Sequence, residues 1–83
     1  MKHNLSTEQQ NDLLKKLPIL RFFEYAHLPE HLQALSAPVC DLAWRMANIT
    51  SDWERGESQT NPETAAGLRK LLEAKDCFVR AKV

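Results

Sequence analysis

A pair of histidines is the first feature of this chain that could do chemistry. His27, Glu30 and His31 match the H-x-x-E-H pattern of a class of zinc peptidases. That chemistry requires both histidines on one face of a helix, together with a distant third ligand. Pro29 stands where a helix would begin, so we expect His27 to precede it. We therefore interpret both histidines as surface or helix-start residues, and we predict neither a metal site nor a metal-dependent hydrolase.

Two cysteines, Cys40 and Cys77, could approach each other across a pair of helices. A disulfide between them is not expected, because thiols stay reduced in the cytosol. Nucleophilic catalysis by a thiol needs a neighbouring base and an oxyanion site, and the sequence marks neither. We expect two small side chains buried in the seam between the helices, and no enzymatic activity.

Aromatic rings and cations supply the groups that could bind a ligand. Phe22, Phe23 and Tyr25 either anchor a core or interface, or offer a ring on which a nucleobase stacks. Tyr25 is the best stacking candidate, since its hydroxyl needs a polar partner. Arg69 and Lys70 either form a solvated helix face or bind phosphate, which a guanidinium can grip through two oxygens.

Composition limits the partners that these groups could serve. The chain has 83 residues, of which 43 % are hydrophobic, as is usual for one small folded domain. Its 11 basic and 11 acidic residues balance, which argues against a protein that coats DNA or RNA. The first residues do not form a secretory signal, and no apolar run is long enough to cross a membrane. We expect a cytoplasmic protein without cofactors.

Helical patterns dominate, and we predict an all-α fold. The first helix spans Ser6–Leu17, begins with a capping box between Ser6 and Gln9, and ends at Pro18. The segment Ile19–His27 is too short and too aromatic for a confident helix assignment, so we expect an irregular or extended strap.

The second helix begins near Pro29 and carries an apolar seam at helical spacing. Pro38 either kinks this helix or marks a fresh start capped by Ser36. The unbroken seam across Pro38 favours a kink over a fresh start. The seam residues are Leu32, Leu35, Val39, Leu42, Met46 and Ile49.

A loop over Thr50–Gln59 precedes a third helix that Asn61 caps and that runs to about Arg80. Ion pairs at i, i+4 are expected for Arg69–Glu73 and Asp76–Arg80. The apolar face of the helix is Leu68, Leu71, Leu72, Phe78 and Val79.

We divide the chain into an N-terminal helix and linker, residues 1–20, and an antiparallel helical hairpin, residues 21–83. One seam between two helices cannot close a core in so small a chain. We therefore expect copies to self-associate.

Most of the hairpin resembles a known family of small phage proteins. The resemblance covers Phe23–Val83 and rests on FEY at 23–25, VCDLA at 39–43, KLLEA at 70–74 and DCFVRA at 76–81. The family consists of helical-hairpin sponges that sequester the cyclic oligonucleotide signals of bacterial anti-phage immunity (CBASS and Thoeris systems).

The resemblance implies an all-helical homo-oligomer, commonly a hexamer, that binds cyclic di- or trinucleotides between protomers without cleaving them. It would act in the cytoplasm of the host cell. Phe23 and Tyr25 match the family's aromatic segment, whose tyrosine stacks on a base. Cys40 stands where the family has a phosphate-binding lysine. Arg69 and Lys70 match the basic residues of a second pocket. The alternative hypothesis is an oligomeric helical module that binds other proteins and no small molecule.

Overall fold

The computed structural model describes residues 4–83, so the first three residues of the predicted N-terminal segment lie outside the described residues. Helices account for 71 % of the structure and dominate the fold, as predicted. In chain order the elements are α1 (Thr7–Lys16), a 3₁₀-helix (Pro18–Phe23), α2 (Glu30–Ile49), the strands β1 (Asp52–Glu54) and β2 (Glu57–Gln59), and α3 (Pro62–Lys82).

Helix α1 begins with the predicted capping box. The Gln9 amide donates to Ser6 Oγ at 3.1 Å, and the Ser6 amide donates to Gln9 Oε1 at 2.9 Å. These bonds satisfy two backbone donors that would otherwise lack a partner at the start of a helix. The helix ends at Lys16, and Leu17 forms its C-cap, so the prediction for this element is confirmed.

The segment Ile19–His27 differs from the irregular or extended strap that we expected, because a 3₁₀-helix occupies its first part. Pro18 lies in the first turn, where its fixed φ suits a helix. A 3₁₀-helix has three residues per turn, so Leu20 and Phe23 point to the same side, and both are fully buried. Packing of this pair in the core stabilises a helix that local propensity alone did not indicate.

Helix α2 runs without interruption through Pro38, so the alternative of a fresh start at Ser36 is wrong. Pro38 removes the amide that would bond to the carbonyl of Ala34. Both residues are exposed, so water can serve that carbonyl. The proline therefore costs less here than it would on a buried face.

The buried face of α2 matches the predicted seam only in part, since Leu32 alone of the seam residues is among those that α2 buries. Leu42, Met46 and Ile49 are exposed, at 42 %, 38 % and 64 % of their surface. Small side chains allow helices to approach closely, and one large ring fills the remaining space. The residues that α2 buries are Leu32, Ser36, Cys40, Ala43, Trp44 and Ala47.

One core joins the N-terminal segment to the hairpin. Leu13, Leu17 and Leu20 pack in the same cluster as Trp44 of α2 and Leu68 of α3. Residues on both sides of the predicted boundary at residue 20 therefore share their packing. The chain thus closes a small core by placing α1 and the 3₁₀-helix against the pair α2 and α3.

The predicted loop Thr50–Gln59 contains a β-hairpin, which corrects the all-α prediction. Strands β1 and β2 are antiparallel, with Trp53 opposite Ser58. Arg55 and Gly56 have φ of 53° and 81°, as a tight hairpin turn requires at both central positions. Strands of three residues are too short for alternation to be visible in the sequence.

Helix α3 begins at the predicted cap, where the Glu63 amide donates to Asn61 Oδ1 at 2.8 Å. It ends at Lys82, slightly beyond the prediction. Of the predicted apolar face, Leu68 is buried in the core, and Leu71 and Leu72 are half-buried against it. The prediction is wrong for Phe78, which is 56 % exposed. Within residues 4–83 neither predicted i, i+4 ion pair of α3 forms, as is common for exposed pairs that contribute little energy.

Candidate functional site

A cleft lies where α1 and the 3₁₀-helix meet α3. We call it the cationic cleft; its volume is about 360 Å³. Apolar groups form much of the wall, and α1 and α3 each bring one cation to it. The lining residues are Lys16, Leu17, Pro18, Ile19, Phe22, Ala65 and Arg69.

Arg69 brings an uncompensated charge to the cationic cleft. The side chain is exposed, and it makes no hydrogen bond or ion pair with any of residues 4–83. A guanidinium carries five N–H donors in a fixed plane and suits phosphate oxygens. Because Glu73 does not pair with it, Arg69 keeps all of these donors for a ligand.

Lys16 differs from Arg69, because its charge is already partly offset. Lys16 Nζ lies 3.4 Å from Asp12 Oδ2 and donates to the carbonyl of Ser58. An ammonium group has three donors, so one remains after these two partners from the described part of the chain. Lys16 can therefore add one hydrogen bond to a ligand that Arg69 holds.

Asp12 connects this side of the cleft to β2. Asp12 Oδ2 accepts hydrogen bonds from the amide and the hydroxyl of Ser58, at 2.6 and 2.5 Å. These bonds, chiefly the one from the hydroxyl, together with nearby Lys16, lower the pKa of Asp12 below its ordinary value. The buried Ser58 and the carboxylate hold α1, and with it Lys16, in a fixed position on the β-hairpin.

Phe22 presents an aromatic ring at the cationic cleft. Leu20 and Phe23 face the core, so the two residues between them on the 3₁₀-helix are exposed. One of them is Phe22, which is 65 % exposed. Its carbonyl accepts a hydrogen bond at 2.8 Å from Nζ of the buried Lys75. The backbone at Phe22 is therefore fixed to α3 while the ring stays open to a ligand.

The five predicted site residues fall into two groups, one in or against the core and one on the surface of α3. Phe23 is fully buried and Cys40 is 4 % exposed. Burial was expected for Cys40 as a seam residue, but neither side chain offers a surface to a ligand of this protomer. Tyr25 is half-buried against the core. Lys70 is exposed but does not line the cleft, because consecutive residues point about 100° apart around a helix. Among the five, Arg69 alone lines the cleft.

The cleft contains an aromatic ring and a cation, those of Phe22 and Lys16, that were not among the predicted site residues. Phe22 belongs to the aromatic cluster, but only the three-residue turn of the 3₁₀-helix shows that it, and not Phe23, faces outward. Lys16 was placed in a separate N-terminal segment, and no spacing in the sequence relates it to Arg69. If a short helix starting at Pro18 had been predicted, Phe22 would have been identified as an outward-facing ring, but Lys16 would still have been missed.

Among residues 4–83, the cysteines and histidines form no metal-binding cluster. Cys40 is buried and Cys77 is exposed, and they do not form a disulfide, so the expectation that both are buried in the seam is wrong for Cys77. Arg80 Nη2 donates to Cys77 Sγ at 3.2 Å. His27 and His31 are exposed. No group of three metal-binding side chains occurs within residues 4–83.

A second depression lies between α2 and α3, and we call it the apolar groove. Its volume is about 360 Å³. Thr50 Oγ1 and Thr64 Oγ1 are 2.7 Å apart and hydrogen-bonded at one part of it. The other lining residues are Leu42, Met46, Glu63, Gly67, Leu68 and Leu71. Leu42 and Met46 belong to the predicted seam, so these two side chains, which were expected in the core, line an open surface.

Comparisons with known proteins do not identify this chain. No family model, curated protein or solved structure matches it. Over the described residues, no helix has the length and apolar character needed to cross a membrane.

Proposed function

We propose that this protein binds cyclic di- or trinucleotide messengers and sequesters them without cleaving them. It would be a phage or prophage protein that blocks bacterial anti-phage immunity in the cytoplasm of the host cell. The observation that carries this proposal is the free guanidinium of Arg69 at the edge of an apolar cleft. The resemblance implies ligand-binding cations in this same part of the second hairpin helix, which supports the proposal.

Sequestration requires affinity and no reaction. The ligand carries phosphodiester anions and aromatic bases, which cations and exposed rings bind. A cyclic ligand is already constrained, so it loses less conformational entropy on binding than a linear one. A nucleophile, a general base and a cofactor are not needed, and we propose that the protein is not an enzyme.

Self-association is the second part of the proposal. Leu42, Met46 and Ile49 expose a stripe of apolar side chains along α2 beside the apolar groove. Contiguous apolar surface of this kind typically marks an interface in a small protein. A symmetric assembly would bury the stripe and repeat the ligand site around a symmetric ligand. The resemblance implies a hexamer.

Calorimetry with cyclic di-AMP, cyclic di-GMP and cyclic tri-AMP tests the proposal. We expect at least one ligand to bind and to be recovered chemically intact after heat denaturation of the protein. Arg69→Ala should weaken binding by about 10- to 100-fold, because a charge-assisted contact to phosphate is lost. Arg45→Ala is the matched control, since it removes an exposed arginine that pairs with Asp41 away from the cleft. Absence of heat and of a thermal shift with every ligand would refute the proposal.

The apolar groove favours one alternative function, an interaction module without a small ligand. Its leucines and methionine would bind an apolar helix face of a second copy or another protein. Stoichiometric recovery of one protein from an extract without cyclic nucleotides would favour this function. Loss of that recovery in a Met46→Glu variant, with Arg69→Ala unaffected, would separate it from nucleotide binding.

A further inference from the structure

The N-terminal helix brings a cation to the cleft that the hairpin alone does not provide. The resemblance to the phage family covers residues 23–83, whereas Lys16 and Phe22 precede it. Yet both line the cleft that contains Arg69. A ligand held by Arg69 therefore meets side chains from outside the resembling part of the chain.

The charges of the cleft favour a monoanion over a dianion. Asp12 offsets the charge of Lys16 at 3.4 Å, while Arg69 has no partner among residues 4–83. The site thus offers about one net positive charge, with a guanidinium fork and one ammonium hydrogen as donors. A phosphodiester carries one negative charge and matches this site. A terminal phosphate carries nearly two at neutral pH, so part of its charge would lack a partner.

The volume of the cationic cleft limits how much of a ligand can enter, and the Phe22 ring offers a surface for a base. At about 360 Å³ the cleft is near the lower end of the range for small-molecule sites, which suits a single nucleotide unit. The Phe22 ring is 65 % exposed at its wall, and an exposed aromatic face can stack on any base. The rest of a cyclic ligand would extend beyond the cleft.

We propose that the cationic cleft, completed by Lys16 of α1 and Phe22, binds one phosphodiester-linked nucleotide unit. Arg69 and Lys16 hold the phosphodiester, and Phe22 stacks on the base. This assignment rests on the proposed function and adds to it the class of linkage and the role of the N-terminal helix. It also places the aromatic contact at Phe22, outside the region of resemblance.

The test uses Phe22→Leu in the full chain, with affinity for cyclic di-AMP, cyclic di-GMP and cyclic tri-AMP measured by calorimetry. The side chain is exposed, so the fold should persist, and circular dichroism checks this. We expect binding to weaken by about 5- to 100-fold, the range for loss of one base–aromatic stack. Phe22→Trp keeps a ring and should restore binding. Phe78→Leu is the matched control, because Phe78 is another exposed phenylalanine that does not line the cleft.

A comparison of a phosphomonoester with a phosphodiester of the same nucleotide tests the class of linkage. We expect the 5′-methyl phosphodiester of AMP to bind the wild-type protein about tenfold more tightly than AMP, whose terminal phosphate carries nearly two charges. Equal or tighter binding of AMP would overturn the phosphodiester assignment. If Phe22→Leu leaves the affinity for cyclic ligands unchanged, the assignment of the nucleotide site to this cleft is overturned, while the proposed function stands. Failure of the wild-type protein to bind any cyclic ligand would overturn both.

Discussion

Asp12 is the residue through which the first helix is fixed to the β-hairpin. Its carboxylate accepts two hydrogen bonds from Ser58 and pairs with Lys16. Hydrogen bonds to an ionised group are stronger than those between neutral groups. Since Lys16 also lines the cationic cleft, this contact relates the stability of the fold to the position of a ligand-binding cation.

We predict that Asp12→Asn lowers the free energy of unfolding by about 1–2 kcal/mol at neutral pH, because the charge behind these bonds is lost. The folded-state pKa of Asp12 lies below its ordinary value of 3.8. Its ionisation therefore stabilises the fold above that pH, and the contribution is lost as the pH falls through the folded-state pKa. Urea unfolding at several pH values should show the difference between wild type and variant shrinking below about pH 4.

The exposed pair Asp41 and Arg45 supplies the control for that measurement. The two side chains are 3.6 Å apart and about half exposed, so Asp41→Asn should change stability by less than about 0.5 kcal/mol. An Asp12→Asn variant as stable as wild type across the same pH range would contradict the role given to Asp12.

The two glycines of the chain lie in elements that make different demands on the backbone. Gly56 has φ of 81° in the hairpin turn, whereas Gly67 lies in α3 without such a requirement. Added Cβ atoms would meet nothing within 4 Å at either position. Since neither position adds a steric clash, alanine at Gly56 tests the cost of backbone strain, and alanine at Gly67 tests the cost of a flexible residue in a helix.

Alanine at these two glycines should have opposite effects. Gly56→Ala should destabilise the protein by about 1 kcal/mol, because an L side chain rarely adopts this φ. Gly67→Ala should stabilise it by about 0.5–1 kcal/mol, because alanine has a higher helix propensity. Denaturant unfolding measures both, and a shift of the same sign in the two variants would show that the assigned backbone conformations are wrong.

Helix α2 has one face in the core of the molecule and another on its surface. Ala43 and Ala47 are fully buried, while Met46 and Ile49 stay exposed. Around the buried Trp44, α2 thus contributes small side chains to the core and leaves several of its large apolar ones at the surface. This division makes the proposed self-association testable without damage to the core.

We predict that Ile49→Glu shifts the protein from an oligomer to a folded monomer, since the charge would have to be buried in the proposed interface. Sedimentation at micromolar concentration measures the change, and circular dichroism confirms the fold. Val83→Glu is the control, because Val83 is 87 % exposed at the far end of α3 from the apolar groove. Equal sedimentation of wild type and Ile49→Glu would count against this interface.

Local signals in the sequence were sufficient for the three α-helices. The capping box at Ser6, the start of α3 after Asn61 and the continuity of α2 through Pro38 each depend on nearby residues. They could be predicted because capping and helix periodicity act within a few positions along the chain. The 3₁₀-helix and the β-hairpin were missed, since both are short and depend on contacts with distant residues.

The tertiary structure alone decided which faces are buried and which residues meet. The leucine-rich seam of α2 is as regular as a buried face, yet Trp44 and the small residues around it pack inside, because close packing depends on volume as well as hydrophobicity. Lys16 and Arg69 are 53 positions apart in the sequence and meet at one cleft only after α1 packs on the hairpin. Cations and rings could be recognised from the sequence, but their convergence required the fold.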